Sequence, residues 1–215
     1  MTRRLPPRRR ATLSQSILLW AAIGLVLPIC GTFLDAHIPT APWTWFDAGT
    51  FQPRVQSLGT RLQIAAVLLT GCLGGAGAGA IAQIAYVGLG LVGLPIFNGG
   101  GGFQYIAVPS FGYLLGFTVG GTVCGWLVTA RVLPGMGRRS PDTSSNAQKS
   151  IERLAVSAGA GLVSIHATGL LWLLVFHGDR ALEEAQRLTW TPLGGQLILV
   201  CAVALVSWLT RRILF

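Results

Sequence analysis

The sequence predicts an all-α integral membrane protein, a bundle of six transmembrane helices with both termini on the cytoplasmic side. Hydrophobic residues make up 52% of the 215 residues and charged residues only 11%. The resulting mean hydropathy of +0.60 is typical of membrane proteins. Between Arg61 and Arg131 the chain has no Asp, Glu, Lys or Arg, and an uncharged stretch of that length can cross a bilayer more than once. We expect residues 1–215 to form a single transmembrane domain.

Six hydrophobic segments follow one another along the chain, at residues 14–34, 62–76, 78–96, 111–130, 154–176 and 193–210. The second and third together form one apolar run of about 35 residues, which is too long for a single span of ~20 residues. Glycines at 74–79 interrupt this run, as in a tight break between two short helices. The apolar pattern alone therefore fits either five or six helices.

The charged residues decide between five and six spans. Lys and Arg in short loops favour the cytoplasmic side, and most basic residues precede segment one, separate segments four and five, or follow segment six. Five of the seven acidic residues fall on the opposite side, namely Asp35, Asp47, Asp179, Glu183 and Glu184. Six spans satisfy this pattern, with residues 1–13 as a basic cytoplasmic tail and 138–150 as a flexible cytoplasmic loop.

The net charge of +9 fits contact with anionic membrane lipid, because the basic residues flank membrane segments. The sequence contains no recognisable module for reading nucleic acid, so nucleic acid is not an expected partner. Membrane topology and lipid therefore account for the basic character of the chain.

Sequence motifs for catalysis and cofactor binding are missing. Residues 88–93 match G-x-G-x-x-G, but they lie inside a hydrophobic segment, whereas a dinucleotide fingerprint needs a strand before it and a helix after it. The single lysine, Lys149, follows Gln148, so a Walker-type phosphate loop is excluded. The three histidines lack acidic partners at ligand spacing, and the four cysteines lack metal-site spacing. The sequence predicts no enzyme, no resident cofactor and no metal.

Several polar side chains lie within or beside the apolar segments: Gln63, Gln83, Tyr86, Asn98, Gln104, Tyr113, His166 and Gln196. At membrane depth each must either form a helix-to-helix hydrogen bond or contact a bound molecule. His166 lies in segment five with Trp172 six residues later, and it is a candidate to line a pocket. The alternative is a neutral imidazole satisfied by a backbone carbonyl.

Two stretches around a glycine-rich loop resemble the BioY family, the biotin-specific substrate-binding subunits of energy-coupling factor (ECF) transporters. The family pattern is roughly G-L-P-V-F, a glycine-rich loop, and then G-P-T-G-G-Y-L-x-G-F. Residues 93–97 match the first part, and Pro109 with residues 112–117 matches the second. Three positions depart from the pattern: Val108, Ser110 and Phe111.

The resemblance extends from about Gly59 to the C-terminus. Gln63 resembles the glutamine of the family's V-T-L-Q motif, and residues 169–173 resemble its G-x-L-W-L. Gln196 and Leu199 stand where many family members have an aspartate and a lysine. Either the Gln196 amide takes over pairing with the ureido ring of biotin, or the specificity differs.

The resemblance implies high-affinity capture of biotin in the cell membrane, as the substrate-specific subunit of an ECF-type vitamin uptake transporter. The implied partners are a transmembrane coupling protein and a pair of ATP-binding subunits. Family members often dock through an A-x-x-x-A pattern in segment one, and segment one of this chain does not have that spacing.

The implied binding site lies near the outer end of the bundle, under the loop between segments three and four. We expect its ligand-binding residues to be Phe97, Asn98, Gln104, Tyr113, His166, Trp172 and Gln196. The glycine loop would act as a lid over the ligand. The valerate carboxylate of biotin would pair with Arg54, Arg61, Arg187 or the backbone N–H groups of residues 99–102.

Two alternatives stay open. The glycines at 71, 75 and 79 would equally serve a ligand-free membrane scaffold or channel subunit, since small residues allow helices to pack closely. Gln196 and Leu199 leave room for a substrate-binding subunit that carries a different vitamin.

Overall fold

A computed structural model of the protein describes residues 15–40, 46–47, 50–51, 55–130 and 143–214. Its helices are α1 (Gln15–Thr32), α2 (Gln63–Val92), α3 (Phe111–Thr129), α4 (Thr143–Phe176), the short α5 (Ala181–Ala185) and α6 (Thr191–Leu214). Among the described residues, five helices are long and apolar enough to cross a membrane: α1, α2, α3, α4 and α6. The chain therefore has the helices of a multi-pass membrane protein, and α2 contains both of the predicted segments two and three.

Helix α2 turns back on itself at Gly75, so that residues 63–74 and 76–92 form two arms side by side. Gly75 has φ 77° and ψ −177°, a conformation essentially confined to glycine. Gln63 and Tyr86 are 23 residues apart and are joined by a hydrogen bond of 2.8 Å, whereas an unbroken helix would separate them by roughly 34 Å. The turn lies within the glycine run where the sequence predicts a break.

The two arms of α2 pack closely against α3. A Cβ atom on Gly71 would lie 2.6 Å from the carbonyl oxygen of Gly121, and one on Gly79 would lie 2.7 Å from the same oxygen. Real Cβ atoms do not approach backbone oxygens this closely, so both arms need glycine where they contact α3. Gly71 and Gly79 thus serve packing within the fold, but the three glycines at 71, 75 and 79 do not share one helix, because the helix breaks at Gly75.

A two-stranded antiparallel ribbon, which the all-α prediction missed, covers one end of the bundle. It pairs β1 (Asp35–Pro39) with β4 (Val55–Arg61). Asp35 lies opposite Arg61 and Pro39 opposite Val55, and the register shifts between Asp35 and His37. A second, shorter hairpin pairs β2 (Phe46–Asp47) with β3 (Thr50–Phe51). These strands lie in the polar connection between α1 and α2, which hydropathy alone leaves unassigned.

Helix α4 begins at Thr143, earlier than the predicted start of segment five. Residues 143–150 of the predicted flexible loop are therefore helical, and the side chains of Gln148 and Glu152 form an i,i+4 hydrogen bond of 2.9 Å in the added turns. Residues 138–142 of that loop and the predicted basic tail at 1–13 lie outside the described residues, as does Arg54.

Two arginines lie at the end of the bundle opposite the ribbon. The Arg211 guanidinium donates to the carbonyl oxygen of Cys72, near the end of the first α2 arm, and Arg153 donates to the carbonyl oxygen of Ala130, after α3. Carbonyl groups at helix C-termini lack intrahelical partners and carry partial negative charge. The predicted cytoplasmic arginines therefore also stabilise two helix ends.

Candidate ligand-binding site

A small cavity of about 140 Å³ lies beneath the ribbon, between β4, α2, α3, α4 and α6. We call it the inner cavity. Its polar lining includes Arg61, Gln63, Ser110, Tyr113, His166 and Gln196, and Phe117 and Leu188 contribute apolar surface. Three predicted site residues, Tyr113, His166 and Gln196, thus line the same space.

Four buried polar side chains form a continuous relay along one wall of the inner cavity. The Tyr113 hydroxyl lies 2.7 Å from the Thr189 hydroxyl, which lies 3.1 Å from His166 Nδ1. On the other side of the ring, His166 Nε2 lies 2.6 Å from Gln196 Oε1. His166 and Gln196 are only 7% and 3% exposed, so these hydrogen bonds satisfy groups that burial would otherwise leave costly.

The chemistry of the relay fixes its direction. Gln196 Oε1 can only accept a hydrogen bond, so His166 Nε2 carries a proton and donates it. In a neutral imidazole, Nδ1 then accepts from the Thr189 hydroxyl, and the Thr189 oxygen accepts from the Tyr113 hydroxyl. In this arrangement the Gln196 oxygen is used by His166. The Gln196 NH₂ group forms no hydrogen bond to the described residues and is available to the cavity.

Gln63 is oriented the opposite way. Its Nε2 donates to the Tyr86 hydroxyl at 2.8 Å, and that hydroxyl donates onward to the carbonyl oxygen of Ile96 at 3.0 Å. The Gln63 Oε1 atom is left as an acceptor on the wall of the inner cavity. One wall therefore offers a fixed donor group and another a fixed acceptor.

A larger outer cavity of about 330 Å³ adjoins the inner one, because Ser110 and Leu188 line both. The predicted residues Asn98 and Gln104 lie in this outer cavity rather than beside Gln196. Arg187 lines it too, together with Glu184. The outer cavity lies between the glycine-rich loop and the segment before α6.

Phe97 and Trp172 lie outside both cavities. The Phe97 ring is buried, packs 5.4 Å from the Tyr86 ring and 4.7 Å from the Tyr105 ring, and fills the space over Gly90. Trp172 stacks on Phe176 in a separate crevice of about 410 Å³, which Gln104 also lines. The direction in which these two side chains point depends on how the chain packs in the bundle, and sequence spacing does not predict that.

The glycine-rich loop is held by internal hydrogen bonds. Phe97 N–H donates to Gly100 O at 2.9 Å, Gly100 N–H donates back to Phe97 O at 3.1 Å, and Gly102 N–H donates to Gly90 O at 2.7 Å. Two of the N–H groups that were expected to face a ligand are thus already used. The loop is anchored at its base by the buried Phe97 ring.

Thr189 is the one member of the relay that the sequence did not predict. It lies in a π-helical turn at 186–190, between two predicted membrane segments, and only the fold brings it beside His166. A hydroxyl a few residues before a helix start is too common a feature to single it out.

Comparisons with a family model and with known proteins point to the same family. Residues 53–214 match the BioY family. The chain is 36% identical over 121 residues to a protein of Lysinibacillus sphaericus named "Probable biotin transporter BioY", a match that covers 56% of this chain and 52% of that relative. The chain thus spans about half the length of that relative.

Two further likenesses cover more of the chain. A Rhizobium etli protein named "Biotin transporter BioY" is 30% identical over 158 residues, covering 73% of this chain and 68% of that protein. The crystal structure of an S-component for biotin from an ECF-type ABC transporter matches with a TM-score of 0.64 at 19% identity, over 94% of this chain and 95% of that one. This last likeness concerns the fold. On the match across residues 53–214, the chain belongs to the BioY family.

Proposed function

We propose that this protein captures biotin in the membrane, as the substrate-specific subunit of an uptake transporter rather than as an enzyme. The observation that carries the proposal is that the inner cavity offers two unused amide groups, the Gln196 NH₂ as a hydrogen-bond donor and the Gln63 Oε1 atom as an acceptor. A cyclic urea has one carbonyl acceptor and two N–H donors, so its binding site must offer both a hydrogen-bond donor and a hydrogen-bond acceptor. The names of the Lysinibacillus and Rhizobium relatives support the same ligand.

In this proposal the ureido carbonyl of biotin accepts from Gln196, and one ureido N–H donates to Gln63. Phe117 and Leu188 cover the thioether ring. Both amides are neutral, so binding a neutral urea leaves no buried unpaired charge. Gln196 can therefore recognise the ureido ring at the position where many family members have an aspartate.

The ligand extends from the inner cavity into the outer one. Ligand pockets usually occupy about 300–1,000 Å³, and the inner cavity alone is smaller at about 140 Å³. Adding the outer cavity of about 330 Å³ brings the site into the usual range. The ureido end would occupy the inner part and the valerate chain the outer part, beneath the glycine-rich loop.

We further propose six membrane crossings in the cell membrane, with both termini cytoplasmic and one domain over residues 1–215. Two observations support this topology. The arms of α2 run in opposite directions from Gly75, and Arg153 and Arg211 lie at the end of the bundle opposite Asp35 in the ribbon. Basic residues near membrane ends favour the cytoplasm.

Transport then needs partners, namely a transmembrane coupling protein and a pair of ATP-binding subunits. The sequence has no nucleotide-binding motif to supply energy itself. The fold likeness to an S-component of an ECF-type transporter supports this arrangement.

The test is equilibrium binding of radiolabelled biotin to the purified chain in detergent, compared with a Gln196→Leu variant. We expect saturable binding that unlabelled biotin displaces. Losing the hydrogen bond from Gln196 should weaken it by about tenfold, since a typical hydrogen bond contributes ~1 kcal/mol and an unpaired buried acceptor costs more. Wild-type protein that is folded but binds no biotin would favour another vitamin or a ligand-free scaffold.

A further inference from the structure

Arg61 brings a positive charge to the boundary between the two cavities, because it lines the inner cavity and donates to Asn98, which lines the outer one. It is the last residue of β4, and among the described residues that line the inner cavity it is the one that carries a formal charge. Strand β4 packs tightly on α6, since a Cβ on Gly195 would lie 2.2 Å from the carbonyl oxygen of Leu58. This contact holds the strand that carries Arg61 beside the helix that carries Gln196.

The hydrogen bonds of Arg61 leave one side of its guanidinium open. Nη1 donates to the carbonyl oxygen of Thr32 at 2.8 Å and to the side-chain oxygen of Asn98. Nε lies 3.8 Å from an Asp35 carboxylate oxygen. A guanidinium has five N–H donors, and the two on Nη2 form no hydrogen bond to the part of the chain that the structure describes.

We infer that Arg61 is the receptor for the carboxylate of the ligand, and that the same guanidinium ties the bound ligand to the glycine-rich loop through Asn98. This inference rests on the proposed function. A carboxylate at Nη2 gains a charge-assisted hydrogen bond, which is roughly twice as strong as a neutral one. Nη1 keeps its bond to Asn98, so one planar group contacts the ligand and the loop together.

The acidic residues beside each arginine favour Arg61 over Arg187 as the partner of the ligand carboxylate. Arg187 is exposed, and it shares the outer cavity with Glu184, whose carboxylate would repel a second carboxylate there. Asp35 is the acidic neighbour of Arg61, but its side chain is 66% exposed and lies beside Nε rather than Nη2. The Nη2 side of the guanidinium therefore stays open. The ion pair with Asp35 is also weak, because exposed ion pairs contribute little in water.

The consequence is a specificity rule. The protein should select a cyclic urea that carries a free carboxylate, and it should discriminate against the same bicycle with a neutral tail. Biotinamide keeps the ring system and the chain length but lacks the negative charge, so it is a suitable probe.

The test measures the dissociation constants of biotin and biotinamide for the purified chain and for four variants in detergent. We expect the wild type to prefer biotin by roughly tenfold or more, because a hydrogen bond to a charged group contributes more than a neutral one. Arg61→Gln should reduce the preference to about threefold or less, mainly by weakening biotin. Arg61→Lys, which retains the charge without the planar fork, should give an intermediate preference.

Arg180→Gln is the matched control, since it removes an outer-end arginine that lines neither cavity. It should leave the preference unchanged. A preference lost in Arg187→Gln but kept in Arg61→Gln and Arg61→Lys would overturn the inference in favour of the outer-cavity arginine. A wild type that binds neither compound would instead defeat the proposed function itself, so the two failures are distinguishable.

The link to the loop has its own readout, amide hydrogen exchange of residues 98–102. Biotin should slow exchange there more than saturating biotinamide does in the wild type, and the two ligands should act equally in Arg61→Gln. Equal slowing by both ligands in the wild type would rule out a connection through Arg61 and Asn98.

Discussion

At the scale of single residues, the site depends on how polar groups orient one another. Gln196 can donate to a ligand because His166 occupies its oxygen, and His166 is oriented in turn by Thr189. An amide free to flip would present either its oxygen or its nitrogen to the cavity. Under the proposed function Thr189 is therefore a positioning residue, which would act on the ligand through His166 and Gln196.

Replacing Thr189 with valine should weaken biotin binding by roughly threefold to tenfold, since one buried hydrogen bond contributes ~0.5–1.5 kcal/mol. The reason is that His166 Nδ1 and the Tyr113 hydroxyl both lose their partner. Dissociation constants measured for Thr189→Val and Thr189→Ser would check this, because serine keeps the hydroxyl and should restore most of the affinity.

Thr168→Val provides the matched control for that experiment. Among the described residues, the Thr168 hydroxyl bonds only to the Ser164 carbonyl of its own helix, at 2.9 Å. If the two valine variants weakened biotin equally, the relay would not be what positions Gln196.

At the scale of the elements, the turn at Gly75 decides the architecture of α2. Within the part of the chain that the structure describes, a Cβ atom at this position would meet only the Thr129 methyl group, at 3.9 Å. Space is therefore not limiting there. The constraint is the backbone conformation, with φ 77° and ψ −177°, which costs a residue other than glycine about 1–3 kcal/mol.

Gly75→Ala should accordingly lower the thermal unfolding temperature of the detergent-purified protein. Gly77→Ala is the control two residues away, where an added Cβ would make ordinary contacts with Ile17 at 3.6 and 3.9 Å. Alanine should stabilise that helical position by up to ~1 kcal/mol. Equal unfolding temperatures for the two variants would contradict a turn that requires glycine.

At the scale of the whole molecule, the reversal of α2 changes which loops share a side of the membrane. With six crossings, Gln56 in β4 and Ser150 near the start of α4 lie on opposite sides. With α2 as a single crossing they would lie on the same side. Both side chains are exposed, so each position is accessible to a label.

Single cysteines at these two positions, in a background without the four native cysteines, would report the topology. A membrane-impermeant maleimide added to intact cells should label Gln56→Cys and should label Ser150→Cys only after permeabilisation. Labelling of both without permeabilisation would be inconsistent with six crossings.

The sequence by itself determined the membrane class, the approximate limits of the apolar segments and the glycine run at which α2 turns. These properties depend on local composition and on charge, and neither changes with the contacts that the helices make. It also predicted Tyr113, His166 and Gln196, which line one cavity in the structure, because polar groups inside apolar segments are conspicuous and resemblance to a family pointed to the last of them.

Only the tertiary structure decided which polar groups meet. Tertiary packing turns Phe97 and Trp172 away from the inner cavity, brings Thr189 to His166, and places Arg61 between the inner cavity and Asn98. The hydropathy of the sequence likewise does not predict the ribbon that carries Arg61. Side-chain direction and hydrogen-bond pairing arise from contacts between residues far apart in the chain, and such contacts exist only after the helices have packed.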